Sequence, residues 1–185
     1  MYPFLYSILG IIIVLLVWSV FSYNRLVKLR QRAKEAWADI DVQLKRRYDL
    51  IPNLLETVKG YAKHEKEVFD DVTRARASAV TAKTVDEHAQ AENALSNTLK
   101  SLFAVAENYP ELKASQNFMA LQQELSDTEN KIQSARRFYN SNVRDLNIRI
   151  ESFPDLLVAQ MLGFRKESLF ELKDEAARQA PKVSF

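Results

Sequence analysis

Hydrophobic and polar positions divide this chain into two regimes. From residue 4 to residue 23 the sequence reads FLYSILGIIIVLLVWSVFSY, apolar on every side of a helix and without a charge. Beyond residue 24 the apolar positions thin out and recur at spacings of three and four, the mark of helices that bury one face. Strand-like alternation and low-complexity linkers are not found there.

Four stripes follow this spacing. Leu26, Leu29, Ala33, Ala36, Ile40 and Leu44, flanked by Trp37, predict a helix continuing directly from the apolar run to about residue 48. Leu54, Val58, Tyr61, Val68, Val72, Ala75 and Ala79 predict a second helix. Leu95, Leu99, Leu102 and Ala106 predict a third over about 84–107. Phe118, Leu121, Leu125, Ile132, Ala135, Tyr139, Leu146 and Ile150 predict a fourth over about 112–151, roughly 60 Å long if unbroken.

Local signals mark the boundaries. Thr84 with Glu87 three residues on fits a capping box. Asn108-Tyr109-Pro110-Glu111 offers a cap, an early proline and an acid in a first turn. Around residue 49 the stretch KRRYDLIP predicts a corner. Lys45, Arg46 and Arg47 would close the first helix, where cations complement the carbonyl end. Asp49 would cap the second, with Pro52 tolerated in its first turn. The alternative is one kinked helix running through Pro52, which would leave a three-helix bundle. Phe153-Pro154 stops the fourth helix, and DLLVAQMLGF, residues 155–164, precedes a charged tail.

Short connections at 48–52, 81–84 and 107–111 imply antiparallel neighbours. The expected fold class is all-α, an N-terminal transmembrane helix continuing into an antiparallel up-and-down four-helix bundle with long helices. The expected divisions are an anchor over 1–24, a bundle over 25–152, and a short apolar helix with a C-terminal tail over 153–185. The scarcity of helix breakers, 3 Gly and 5 Pro, agrees with few turns between long helices.

The apolar run is long enough to cross a hydrocarbon core of about 30 Å. Tyr2, Tyr6, Trp18 and Tyr23 stand towards its ends, as interfacial aromatics do. It lacks the basic n-region and small-residue cleavage site of a signal peptide, so it is expected to remain as an anchor. Arg25, Lys28, Arg30, Arg32 and Lys34 follow it, against one acid, Glu35. The positive-inside rule then places the C-terminal domain in the cytoplasm, with an extracytoplasmic domain as the alternative. The same five cations are candidate contacts for lipid headgroups.

Charge and motif content exclude several chemistries. The chain holds 26 basic and 24 acidic residues, a net of +2, and no cysteine. Disulfides, thiolate metal sites and a cysteine nucleophile are therefore excluded. His64-Glu65 meets Val68 where a zincin helix needs its second histidine, and neither His64 nor His88 completes a Glu-x-x-His pair. His64 is expected on the surface or at an interface near the middle of the second helix. Gly10, Gly60 and Gly163 are isolated, so no phosphate cradle can be built. The cations at 45–47 fan around a helix instead of forming one grip, and with Arg136-Arg137 they do not support nucleic-acid binding. Glu65 and Thr128 interrupt apolar stripes and are expected to set helix register through a buried hydrogen bond or to face a neighbouring subunit. No cofactor is expected.

The stretch YNRLVKLRQRAKEAWADIDVQLKRRYDLIPNLLETVKGYAKHE resembles the signature of the LemA family of bacterial membrane proteins. Further matches are ENYPELKASQNFMALQQELSDTENKI, ARRFYNSNVRDLNIRIESFP and the ending PKVSF. The resemblance implies a membrane anchor with a helical-bundle domain and, since no activity is established for the family, no particular chemistry.

The expectation is a non-enzymatic scaffold or adaptor in the bacterial inner membrane, self-associating through its long helices or binding another membrane protein. A membrane-surface or lipid-organising role is the alternative. Leu156, Leu157, Met161, Leu162 and Phe164 crowd too many apolar groups into ten residues for a free surface helix. They are candidates to cover the bundle, meet the membrane, or form a partner or self-association surface.

Overall fold

An apolar run that passes without a break into a one-sided stripe can carry a single helix far along the chain, and a computed structural model shows that it does. The structure describes residues 2–171, with side chains from residue 6. The Tyr2 side chain and the PKVSF ending lie outside the described residues. Helix α1 is Tyr2–Lys59, followed by α2, Lys66–Thr81, and α3, Val85–Ala106. The one-turn α4, Pro110–Lys113, leads to α5, Gln116–Glu151, and α6, Asp155–Met161. Among the described residues there is no strand.

The expected corner at 48–52 is not there. Pro52 lies inside α1, as the single-helix alternative had it, and the turn falls at residues 60–65. The reason is the phase of the stripe. Leu44, Tyr48, Ile51, Leu55 and Val58 are all buried, at spacings of four, three, four and three. A turn at Pro52 would break that register, whereas a continuous helix keeps every member on the core side. Pro52 itself faces solvent. Lacking an N–H, it cannot bond the carbonyl four residues earlier. That carbonyl, of Tyr48, instead accepts the Arg76 Nε–H at 2.7 Å.

Other boundaries shift with it. Asp49 is exposed within α1 and caps nothing, and Lys45, Arg46 and Arg47 lie well inside the helix. Tyr61 and His64, placed by the pattern in a second helix, are exposed in the turn. That turn is held by the Tyr61 and Ala62 N–H groups, which donate to the Val58 carbonyl at 3.0 and 2.9 Å. The capping box forms as the spacing predicts. The Glu87 N–H donates to Thr84 Oγ1, and the Thr84 N–H to Glu87 Oε2, each at 3.2 Å. At the next start Tyr109, not Asn108, is the cap residue, with Pro110 in the first position and no side-chain cap bond.

The chain divides into two units with their own cores, and α1 and α5 supply residues to both. One comprises Ile40–Ser134 with the segment from Phe170, the other Met1–Asp39 with Ala135–Leu169. In the first, the Tyr48 hydroxyl reaches the Ala79 carbonyl at 3.5 Å and the Lys59 ammonium lies 6.0 Å from the Phe69 ring centre. These pairs run α1 and α2 in opposite directions. Arg47 of α1 pairs with Glu92 of α3, and Glu65 meets Tyr109 just beyond the C-terminal ends of the same two helices, so α1 and α3 run the same way. The Phe103 and Phe118 rings meet edge to face at 6.3 Å where α3 hands over to α5. Leu54, Leu95, Leu102, Leu112 and Ile132 are fully or almost fully buried.

In the second unit Trp37 and Tyr139 meet edge to face at 5.3 Å. Leu26, Leu146, Ile150, Val158, Ala159 and Phe164 form its core, with Trp18, Val27 and Leu29 packed against them. After α6 the backbone turns at Gly163, whose φ of 70° is the left-handed conformation that favours glycine. The Phe164 N–H donates back to the Ala159 carbonyl at 2.9 Å and the Gly163 N–H to Gln160 at 3.4 Å, a Schellman ending. The segment beyond lies along α5. Asn147 bonds both sides of the Glu167 peptide, at 2.9 and 3.0 Å, and the Tyr139 hydroxyl donates to the Ser168 carbonyl at 2.9 Å.

Candidate functional site

Two polar clusters stand out, one in each unit, and neither was legible as a cluster from spacing. In the Ile40–Ser134 unit, heptad-like spacing puts Arg47 and Tyr48 of α1 on the core side, facing Glu92 and Ser96 of α3 and Glu129 of α5. Arg47 Nη1 lies 3.1 Å from Glu92 Oε2 and 2.9 Å from Glu129 Oε2. Its Nη2 donates to Ser96 Oγ at 2.8 Å. The Tyr48 hydroxyl donates to the other Glu92 oxygen, Oε1. The Arg47 and Glu92 side chains are 6% and 2% exposed, which makes this a buried charge pair.

Burial pushes the Glu92 carboxyl above the usual carboxylate range, and the Arg47 guanidinium and Tyr48 hydroxyl oppose the rise. Burial, with the Glu92 carboxylate beside it, pushes the Tyr48 hydroxyl well above the phenol range. Both Glu92 oxygens are engaged by protein donors. The arrangement is chemically closed and suited to holding three helices in one register, because a slip of either partner would strand a buried charge.

The second cluster lies where α6 meets α1. Ser22 donates to Asp155 Oδ1 and Arg149 pairs with Asp155 Oδ2, leaving Asp155 1% exposed. Around it the Tyr23 and Phe164 rings pack edge to face at 6.0 Å, and the Arg30 guanidinium sits 5.0 Å over the Phe164 ring. An acid in the first turn of α6 also faces the positive end of that short helix. Two signals could have pointed here: a serine within the uncharged run, and an aspartate opening an otherwise apolar segment.

The residues singled out from sequence are distributed as follows. Arg25, Lys28, Arg32 and Lys34 are exposed, and Arg30 is half-buried against Phe164. Of the apolar candidates Phe164 is buried and Leu156 half-buried, whereas Leu157, Met161 and Leu162 face outward. Thr128 is fully buried and bonds the Glu124 carbonyl of its own helix at 2.7 Å, and Glu65 accepts the Tyr109 hydroxyl at 3.1 Å. Arg46 pairs with Glu124 at 2.9 Å on the surface. Burial holds the His88 imidazole below its usual range. Among the described residues no three His, Asp or Glu side chains gather as a metal site.

The apolar stretch of α1 differs from every other helix. Its window is long and apolar enough to cross a membrane, and the chain covers almost none of it. Ile11, Val14, Leu16 and Phe21 are each more than half exposed.

Among the described residues these features define an all-helical protein with one helix of membrane-crossing length and apolarity. The profile of the LemA family matches residues 36–185, and the chain belongs to that family. It is similar to Protein LemA of Metamycoplasma hominis, 27% identical over 153 residues that cover 82% of this chain and 69% of that one. It is also similar to magnetosome protein MamQ of Magnetospirillum gryphiswaldense, 22% identical over 180 residues. Magnetosome protein MamQ 2 of Paramagnetospirillum magneticum gives the same identity over the same length. The match covers 83% of this chain but 66% of the magnetosome relatives, so the chain spans just under two-thirds of their length. The family and these relatives are not known enzymes.

Proposed function

We propose that this protein is a non-enzymatic, membrane-anchored helical scaffold or adaptor that self-associates. The observation that carries the reading is the bare apolar surface of α1 from Tyr6 to Phe21, which calls for lipid around it. In this picture the anchor lies in the bacterial inner membrane with the remaining domain in the cytoplasm, on the strength of the exposed cations after the span. The four long helical stretches of Ile40–Ser134 act as an antiparallel up-and-down bundle. The opposed pairing of α1 with α2, and the meeting of Phe103 with Phe118, support that topology. Buried polar groups that satisfy one another, as Arg47 and Glu92 do, favour a structural over a catalytic role.

Crosslinking in intact membranes followed by mass spectrometry tests the reading. Discrete homo-oligomeric products or a reproducible membrane-protein adduct support it. A monomeric mass in detergent together with an absence of adducts in cells overturns it. A membrane-surface or lipid-organising role is the second reading, favoured by the outward-facing apolar residues of α6.

A further inference from the structure

We infer that α6 and its two flanks form a second, non-spanning membrane contact, an apolar rim seated in the headgroup–acyl boundary beside the exit of α1. Helix α6 buries Asp155, Val158 and Ala159 against the protein. A helix that docks one face in water normally turns polar residues outward. Here Leu157 and Met161, 50% and 84% exposed, lie four residues apart on one outward face, with Gln160 the one exposed polar residue beside them. Leu162 at the end of the helix is 56% exposed, and Phe153 just before it 81%. The helix thus carries large apolar residues on its uncovered side as well as on its covered one.

Its position selects the cover. Ser22 bonds Asp155, Tyr23 packs on Phe164, and Trp18 packs against the cluster that holds Val158 and Ala159. These three α1 residues belong to the last turns of the apolar run, and Trp18 to Tyr23 spans only about 8 Å of helix axis. If Tyr6–Phe21 lies in the bilayer, α6 is held at the level where hydrocarbon gives way to headgroups, the depth at which interfacial helices bury an apolar face. Cations border the same level. Arg25 and Lys28 are exposed on α1 and Arg165 just after α6, placed to meet lipid phosphates, while the neighbouring Lys166 is paired with Glu151 at 2.6 Å. Continuity with the span favours lipid over a protein partner. The inference rests on reading α1 as a membrane anchor, and it adds a depth and a set of residues to the membrane-surface role.

Because the chain has no cysteine, single substitutions can each carry one environment-sensitive fluorophore on the full-length protein. The positions are Phe153→Cys, Leu157→Cys and Met161→Cys, with Val14→Cys for the span and Val80→Cys, exposed on α2, for the aqueous domain. The protein is reconstituted into phosphatidylcholine–phosphatidylglycerol vesicles with nitroxide lipids labelled either shallow or deep on the acyl chain. The expected result is blue-shifted emission and stronger quenching by shallow than by deep label at 153, 157 and 161. Val14→Cys should be quenched more strongly by the deep label, and Val80→Cys by neither.

Aqueous emission at the three α6 positions with Val14→Cys quenched overturns this inference and leaves the anchor standing. Blue-shifted emission at 153, 157 and 161 without lipid quenching overturns it in favour of a protein cover, such as a second copy. Equal quenching at Val80→Cys overturns it as general adsorption. Failure of lipid to quench Val14→Cys removes the anchor and this inference together.

Discussion

Arg76 of α2 donates its Nε–H at 2.7 Å to the Tyr48 carbonyl, the α1 acceptor that Pro52 has no N–H to satisfy. A proline inside a helix removes a bond and crowds the carbonyl four residues back. Here a side chain from the neighbouring helix takes the vacant place, so the proline and the arginine form one device.

The first prediction is a coupling between those positions. Arg76→Ala should lower stability by about 1–2 kcal/mol, the cost of losing a charge-assisted bond to a half-buried carbonyl. In a Pro52→Ala background residue 52 regains its N–H, and the same substitution should cost clearly less. Thermal unfolding of the four proteins in detergent closes the cycle, and additive losses would sink the idea.

Arg47 and Glu92 should behave asymmetrically. Arg47→Ala leaves Glu92 buried without its cation and is expected to cost about 3 kcal/mol or more. Glu92→Gln keeps the shape, and Arg47 retains Glu129, so it should cost much less at neutral pH.

The pH dependence at Glu92 has a definite sign. Its folded carboxyl titrates above the ordinary 4.5, because burial outweighs Arg47 and Tyr48. The fold then favours the protonated form, a contribution present below 4.5 and lost as pH rises through the raised value. Glutamine mimics that form at every pH. The unfolding midpoint of Glu92→Gln relative to wild type should therefore rise as pH increases above 4.5, and a fall would contradict the assignment.

At the start of α3 the sign reverses. Hydrogen bonds from the Lys83 and Thr84 backbone N–H groups hold the Glu87 carboxyl below its ordinary 4.5. Its contribution is present above 4.5 and is lost as pH falls through the lowered value. Glu87→Gln should thus remove an acid-labile part of the stability that wild type shows in the same melts. Thr84→Ala, which deletes the other half of the box, should cost about 1 kcal/mol.

Gly163→Ala places a Cβ on a residue at φ 70° and should destabilise the end of α6 by about 1 kcal/mol. Loss of that turn frees Phe164 from the core and the following residues from α5. Trypsin should then cut after Arg165 and Lys166 faster than in wild type, with cleavage elsewhere unchanged.

Much of the helix layout could be read from spacing because each stripe records its own buried face. Leu95, Leu99, Leu102 and Ala106 are all buried, as are Leu26, Ala33, Ala36, Ile40 and Leu44. At residue 49 local punctuation and the phase of the stripe point to different structures, and phase prevails. Aspartate followed by proline is a common helix start, yet Tyr48, Ile51 and Leu55 continue the stripe of Leu44 without a slip. Read through the proline, that pattern would have placed the turn at Gly60.

The polar clusters were hidden for another reason. Arg47 looked like one cation among three, and Glu92, Asp155 and Ser22 are ordinary residues in isolation. What distinguishes them is which long-range partner the packing supplies.

By itself the sequence determined that this is an all-helical chain with a membrane-length apolar segment, because hydrophobic periodicity and an uncharged run act over a few residues at a time. It also determined the α3 capping box, a strictly local exchange of hydrogen bonds. Only the tertiary structure decided that Pro52 stays within a helix, since the compensating Arg76 comes from another element. Only the packing joined Arg47 to Glu92 and Asp155 to Ser22, and divided the apolar residues of 155–164 between core and exposed rim. Burial and ion pairing depend on residues far apart in the chain, and no local pattern carries them.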